Sequence, residues 1–155
     1  MAKEILICSI ADRKYGIEVG GLQSIENYTP PTAVSSAPEF IAGIVKIRED
    51  VYPVIDLRSK FSLPKTEPTE ETKYVLLKTN AGMAACMVDS VCEIFNGTEE
   101  TVQPFPDMLR TKETEYADCI VKANDTLVLV ISSAHLLTLE ETNEVTSIIE
   151  ENIEQ

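Results

Sequence analysis

Apolar residues along the chain cluster in short, β-branched runs separated by turn residues. Ile5 to Ile10 is followed by Ala11-Asp12-Arg13-Lys14, and Tyr15 to Val19 by Gly20-Gly21. Further runs are Ile41 to Ile47, Val51 to Leu57, Tyr74 to Leu77, Met83 to Val88, Cys119 to Val121 and Leu127 to Ile131. Strand-sized runs at this spacing predict an all-β sandwich or barrel. No strand–helix–strand rhythm is present, which argues against a parallel α/β sheet. Pro53 lies inside Val51-Tyr52-Pro53-Val54-Ile55. Proline has no N–H to give a central strand, so this position is expected at an edge or a bulge.

Two stretches read as loops. Asn27 to Pro38 carries Pro30, Pro31, Ser35, Ser36 and Pro38; Ser62 to Thr72 carries Pro64, Pro68 and three glutamates. The second is either a join between two sub-barrels or a long hairpin loop. Past Thr138 the period changes. Thr138-Leu139-Glu140-Glu141 matches a capping box, and Val145, Ile148, Ile149 and Ile153 share one helical face. Glu144, Glu150, Glu151 and Glu154 lie on the other. Such a helix either packs on its own barrel, the commoner outcome, or binds a partner.

The 155 residues suffice for one domain or two small fused ones, and bury roughly 70% of the unfolded surface without disulfides. The net charge of −13 argues against a phosphate-tracking nucleic-acid binder and against docking on an anionic membrane. Residues 140–155 hold six Glu and no Lys or Arg; without them 20 acidic residues face 13 basic ones. Cys8, Cys86, Cys92 and Cys119 form no Cys-x-x-Cys pair, and with a single histidine no zinc-ligand spacing arises. Reduced thiols suit the cytosol, and the N-terminal residues lack the pattern of a signal peptide. The 14 uncharged residues from Thr126 to Leu139 are too few to span a bilayer.

Candidate chemistry is sparse. His135, Asp56 and Asp89 are the residues on which a hydrolase would have to rest. No nucleophile elbow or phosphate-cradling loop accompanies them, and Asp after a strand ordinarily serves as a turn or helix cap. Neither a catalytic residue nor a cofactor or metal site is expected.

The segment from Ala37 to Phe61 is more specific: Pro38, Phe40, Gly43-Ile44, the turn Arg48-Glu49-Asp50, and Pro53-Val54-Ile55-Asp56-Leu57-Arg58 leading to Phe61. It resembles the signature of the CheW family of bacterial chemotaxis coupling proteins. Lys14-Tyr15-Gly16-Ile17-Glu18, Val88-Asp89-Ser90-Val91, and Leu127 to Ile131 followed by Leu136-Leu137 extend the resemblance over about residues 4 to 139.

The resemblance implies two packed, small, five-stranded SH3-like barrels with short helices and a C-terminal amphipathic helix. The CheW-like domain would span 1–139, with an inner barrel at about 15–72 and the other built from about 1–14 plus 73–139. An acidic helix or tail would fill 140–155. It further implies a non-enzymatic cytoplasmic adaptor, recruited to receptor arrays at the inner membrane. Its partners would be the CheA-type regulatory domain of a chemotaxis histidine kinase and the cytoplasmic tip of a methyl-accepting chemoreceptor, without nucleic acid or membrane insertion. The alternative is an SH3-like scaffold for another signalling partner.

By position in the family pattern, Val19, Leu22, Ser24 and Arg48 match kinase-facing positions, while Ala85, Val91 and Ile94 match the receptor-facing groove. Arg48 sits on a turn and suits a two-pronged contact with a carboxylate; its other reading is an internal salt bridge that pins the turn. For the apolar positions the other reading is core packing. Two departures stand out. Glu49 replaces a glycine and resists positive φ, which predicts a different turn shape, and an acid beside Arg48 is able to neutralise it. Ser24 replaces a common glutamate that would pair with a basic group on the kinase, so that intermolecular salt bridge is missing unless Glu26 substitutes.

Overall fold

The computed structural model describes residues 3–35, 37–111 and 114–152. Ile153 and Glu154, expected on the two faces of the C-terminal helix, lie outside the described residues, as do Ser36 and the side chain of Glu151.

The chain runs β1 (Lys3–Ile10), β2 (Arg13–Glu18), β3 (Leu22–Asn27), β4 (Ile41–Ile47), β5 (Asp50–Asp56), α1 (Leu57–Lys60), β6 (Lys73–Thr79), β7 (Gly82–Val88), β8 (Ser90–Gly97), β9 (Val102–Pro104), β10 (Ala117–Ala123), β11 (Thr126–Ile131) and α2 (Leu139–Asn152). The strands form two sheets. The outer one has six strands in the order β8-β1-β2-β11-β10-β9; the inner one has five, β3-β6-β7-β5-β4. The three-residue β9 makes the outer sheet one strand larger than expected.

Sheet membership divides the chain at residues 22 and 89. β2 pairs with β1 and β11, so it stays in the outer sheet, while β6 and β7 pair with β3 and β5 and stay in the inner one. The expected boundaries near 15 and 72 therefore move. The loop after α1 is neither a join between lobes nor a hairpin loop. It carries the chain from β5 to β6, two non-adjacent strands of the same sheet. Among the described residues the chain crosses between sheets twice, through the 3-10 turn Val19–Gly21 and through the single residue Asp89.

Both faces of the central strands are buried, which explains why their sequences read as continuous apolar runs. On β1, Ile5 and Ile7 point into the outer lobe's own core with Val121, Val128 and Val130, while Leu6, Cys8 and Ile10 point the other way. On β6, Tyr74 and Leu76 fill the inner lobe's core, and Val75 and Leu77 face outward. The outward sets meet in a third core shared by both lobes, which also takes in Leu57 of α1 and Leu136, Leu137, Val145 and Ile148 around α2. The amphipathic helix thus packs at home. Its capping box is formed: Thr138 N–H donates to Glu141 Oε1 at 2.8 Å, and Glu141 N–H donates to Thr138 Oγ1 at 3.1 Å.

β3, β8 and β9 were not legible as strands. In β3 the inward positions Leu22, Ser24 and Glu26 include two polar residues, and β8 is a bulged edge strand with Cys92, Glu93 and Ile94 exposed. Of the two places expected for Pro53, an edge or a bulge, the structure has the second: it lies inside the sheet, next to the β4 bulge. β5 lies between β4 and β7, but its ladder with β7 begins only at Val54. Opposite Pro53, Ile44 turns both its N–H and its C=O to Thr32, at 2.8 Å each. The proline nitrogen therefore faces the stretch where β7 has not yet joined, beside the β4 bulge between Ile41 and Gly43. Gly43 sits at that bulge with φ +147°; a Cβ there would collide with the Thr32 carbonyl oxygen, so glycine is required.

Candidate functional site

Arg48 and Glu49 form the two-residue turn between Ile47 and Asp50. The left-handed conformation falls on Arg48, at φ +56°, and not on Glu49. Glu49 thus avoids the positive φ that it resists, while Arg48, itself not a glycine, adopts it. Arg48 Nη1 lies 3.2 Å from Glu26 Oε2, while 67% of the arginine side chain stays exposed. Glu26, not Glu49 or Asp50, is therefore the acid that faces it. The pair links β3, at one end of the inner sheet's strand order, to the β4–β5 turn at the other.

Leu22, Ser24 and Glu26 share one half-buried face of β3, and Val19 opens the 3-10 turn that leads into it. Leu22 packs partly on the shared core. Ser24 Oγ is buried without a hydrogen-bond partner. Ile25, 41% exposed, and Val51, 36% exposed, add apolar surface on β3 and β5. Val19, Leu22, Ser24 and Arg48 thus fall on one lobe, along β3 and the β4–β5 turn.

The second set divides. Ala85 is fully buried in the inner lobe's core, because its side chain points opposite to those of Ala84 and Cys86 on β7. With no accessible surface it is a packing residue and cannot meet a partner here, which corrects the groove position expected for it. Val91 and Ile94 lie on β8. Val91 lines a shallow cleft with Ser90 on the outer side and Glu70, Glu71 and Lys73 on the inner side. Ile94 is 55% exposed on the same edge strand.

Sequence reasoning missed Met108, 97% exposed, and Leu109, 56% exposed, in the 3-10 turn Asp107–Leu109 of the outer lobe. The signal was two bulky apolar residues directly after Pro104-Phe105-Pro106, where no strand pattern accounts for them.

The residues weighed for catalysis have structural partners. Asp56 caps α1, accepting from Arg58 N–H at 3.0 Å. Asp89 accepts a fork from Arg58, with Nε to Oδ1 at 3.0 Å and Nη2 to Oδ2 at 2.5 Å, and the Ala11 N–H at 2.8 Å. Burial raises the Asp89 carboxyl pKa, but the Arg58 hydrogen bonds and charge and the Ala11 N–H outweigh it, so the net shift is downward. His135 Nδ1 lies 3.0 Å from Ser132 Oγ, three residues back. Among the described residues no group of three His, Cys, Asp or Glu side chains could hold a metal ion, and no helix is long and apolar enough to cross a membrane.

α1 is the bolt between the lobes. Lys60, nearly buried, lies 3.1 Å from Glu141 of α2, and Phe61 stacks between Tyr15 and Tyr116 of the outer lobe at 5.1 and 4.6 Å.

Comparison with known proteins agrees with this architecture. A family model described as "CheW-like domain" matches residues 4–141. The chain is 28% identical to the "Chemotaxis protein CheW" of Klebsiella aerogenes, covering 91% of this chain and 85% of that one. It is 26% identical to the Bacillus subtilis protein of the same name, covering 89% and 88%. The crystal structure of the scaffolding protein TtCheW from Thermoanaerobacter tengcongensis superposes with a TM-score of 0.81 at 26% identity, covering 91% of this chain and 96% of that one. Two strand-built lobes around a shared core, carrying this succession of motifs, place the chain in the CheW-like family.

Proposed function

We propose that this protein is a non-catalytic adaptor that couples chemoreceptors to a chemotaxis histidine kinase, in the cytoplasm at receptor arrays on the inner membrane. The observation that carries the reading is the Arg48 turn: an exposed guanidinium on a two-residue hairpin, ion-paired with Glu26, in a lobe that also exposes Ile25 and Val51 on β3 and β5. Arginine beside exposed apolar side chains is the composition of an interface hot spot, and although Arg48 pairs internally with Glu26, two thirds of its side chain stays open to a partner. Val19, Leu22 and Ser24 belong to the same kinase-facing surface. The receptor, a helical partner, is assigned to the inter-lobe cleft at Val91 and the neighbouring Ile94, where a helix-in-groove mode finds apolar anchors. Family membership and the scaffolding role named for the TtCheW neighbour support the reading.

Titration against the cognate histidine kinase tests it. Arg48→Glu is expected to weaken binding by about 2 kcal/mol, or roughly thirtyfold in Kd. Glu26 is only 20% exposed and faces a second acid in this variant, so folding is checked by circular dichroism and Arg48→Ala is titrated beside it. Absence of kinase and receptor binding by the wild-type protein at about 50 μM, where a micromolar contact of roughly 8 kcal/mol saturates, refutes the adaptor reading and leaves the scaffold for another partner.

A further inference from the structure

The two lobes share a large apolar core, and apolar burial is non-directional: it favours contact without fixing an angle. Direction comes from specific contacts: Lys60 with Glu141, Asn80 with Leu137, and the polar geometry at the points where the chain crosses. Asp89 is one of these points, the single residue between β7 of the inner sheet and β8 of the outer sheet. Its backbone N–H donates to Ser9 C=O at 3.0 Å, and its carboxylate accepts the N–H of Ala11 in the β1–β2 turn. Asp89 is thereby held by the outer lobe through both backbone and side chain. Ala11 has φ +53°, a left-handed conformation for a non-glycine residue, and the Asp89 contact helps hold it there.

Arg58 reaches the same carboxylate from the other side. It follows β5 directly, on α1, and its side chain is 15% exposed. The planar fork engages both Asp89 oxygens, and Nη1 donates to Pro64 C=O at 2.5 Å, so the guanidinium is held at three of its nitrogens. A bidentate arginine–carboxylate pair fixes orientation as well as distance.

We infer that the Arg58–Asp89 pair sets the angle between the lobes, and with it the spacing between the Arg48 turn and the Val91–Ile94 strand. Both are positioning residues and neither is a partner contact. The functional half of this inference rests on the adaptor reading; the geometric half does not. An adaptor that bridges two bodies needs its two faces at a fixed separation. If the lobes rock, each face still binds its own partner, but simultaneous binding loses the benefit of preorganisation.

The native thiols provide the measurement. Cys92 on β8 is exposed while Cys8, Cys86 and Cys119 are buried, so a spin label on Cys92 and a second on Glu49→Cys report the distance between lobes in the full chain. The wild-type background is expected to give one narrow distance distribution. Arg58→Met and Asp89→Asn, each checked by circular dichroism to be folded, are expected to broaden or shift it. Either folded variant keeping the wild-type distribution overturns the inference. If Arg58→Met does not fold, Asp89→Asn decides alone, since asparagine preserves an acceptor for Ala11 and removes the charge. In binding, both variants are expected to retain binary affinity for the kinase while receptor–kinase bridging falls about tenfold. Wild-type protein that binds no kinase refutes the adaptor reading, while the distance measurement still judges the latch. Broadened distances with undiminished bridging overturn the functional half.

Discussion

Single residues carry tasks in this molecule that their types alone do not announce. Asp56 and Asp89 both follow strands, yet one caps a helix and the other receives an arginine fork across the lobe boundary. The depressed carboxyl pKa of Asp89 gives its pairing a pH signature. A carboxylate whose folded pKa lies below the unfolded value of about 3.9 stabilises the fold fully above that value. The stabilisation is lost as pH falls through the folded pKa. Urea titrations below about pH 4 should therefore show wild type losing stability more steeply than Asp89→Asn, which has no such proton to take up. Gly43 makes a different kind of prediction. Gly43→Ala drives a Cβ into the Thr32 carbonyl at a positive φ, and the urea midpoint should report a loss of about 2–3 kcal/mol.

Elements form here when local signals and burial agree. The two-residue turns Ala11-Asp12 and Asn124-Asp125, left-handed at all four residues, close hairpins whose flanking strands were already readable as apolar runs. α2 was readable because its capping box and its apolar face are both local patterns. Thr138→Ala removes the hydroxyl that accepts from Glu141 N–H and should cost about 1 kcal/mol in thermal or urea unfolding. β3 and β8 were opaque for the opposite reason. Their exposed or polar faces break the alternation on which a strand assignment depends, and only pairing with β6 and β1 makes them strands. The same holds for the site: Arg48 is visible as a turn residue, whereas Glu26 as its partner depends on how the inner sheet places β3 relative to the β4–β5 turn.

For the whole molecule, the shared core makes the lobes one energetic unit. Val75, Leu77, Cys86, Leu6 and Cys8 belong to one cluster although they come from different sheets, so neither lobe can open without exposing the other's inner face. The burial of the thiols follows from this. Cys8 and Cys86 are pushed up to about 12 by loss of solvent, which leaves neither a thiolate nor access at neutral pH. Native protein treated with iodoacetamide should carry one adduct, at Cys92, and unfolded protein four, as counted by intact-mass spectrometry.

Local chemistry, held in the order of residues, settled that the chain is all-β, that its turns fall where glycine, proline, asparagine and aspartate punctuate it, that a capped acidic helix follows Thr138, and that the motif series from Tyr15 to Leu137 matches one family. Those features need only neighbours a few positions away. Which strands belong to which lobe, that Ala85 faces inward while Val91 lines a cleft, and that Arg58 meets Asp89 are long-range outcomes. Each depends on how two sheets stack, because a side chain's exposure in a β-strand is decided by what covers that face, and the covering residues here are dozens of positions away in the chain.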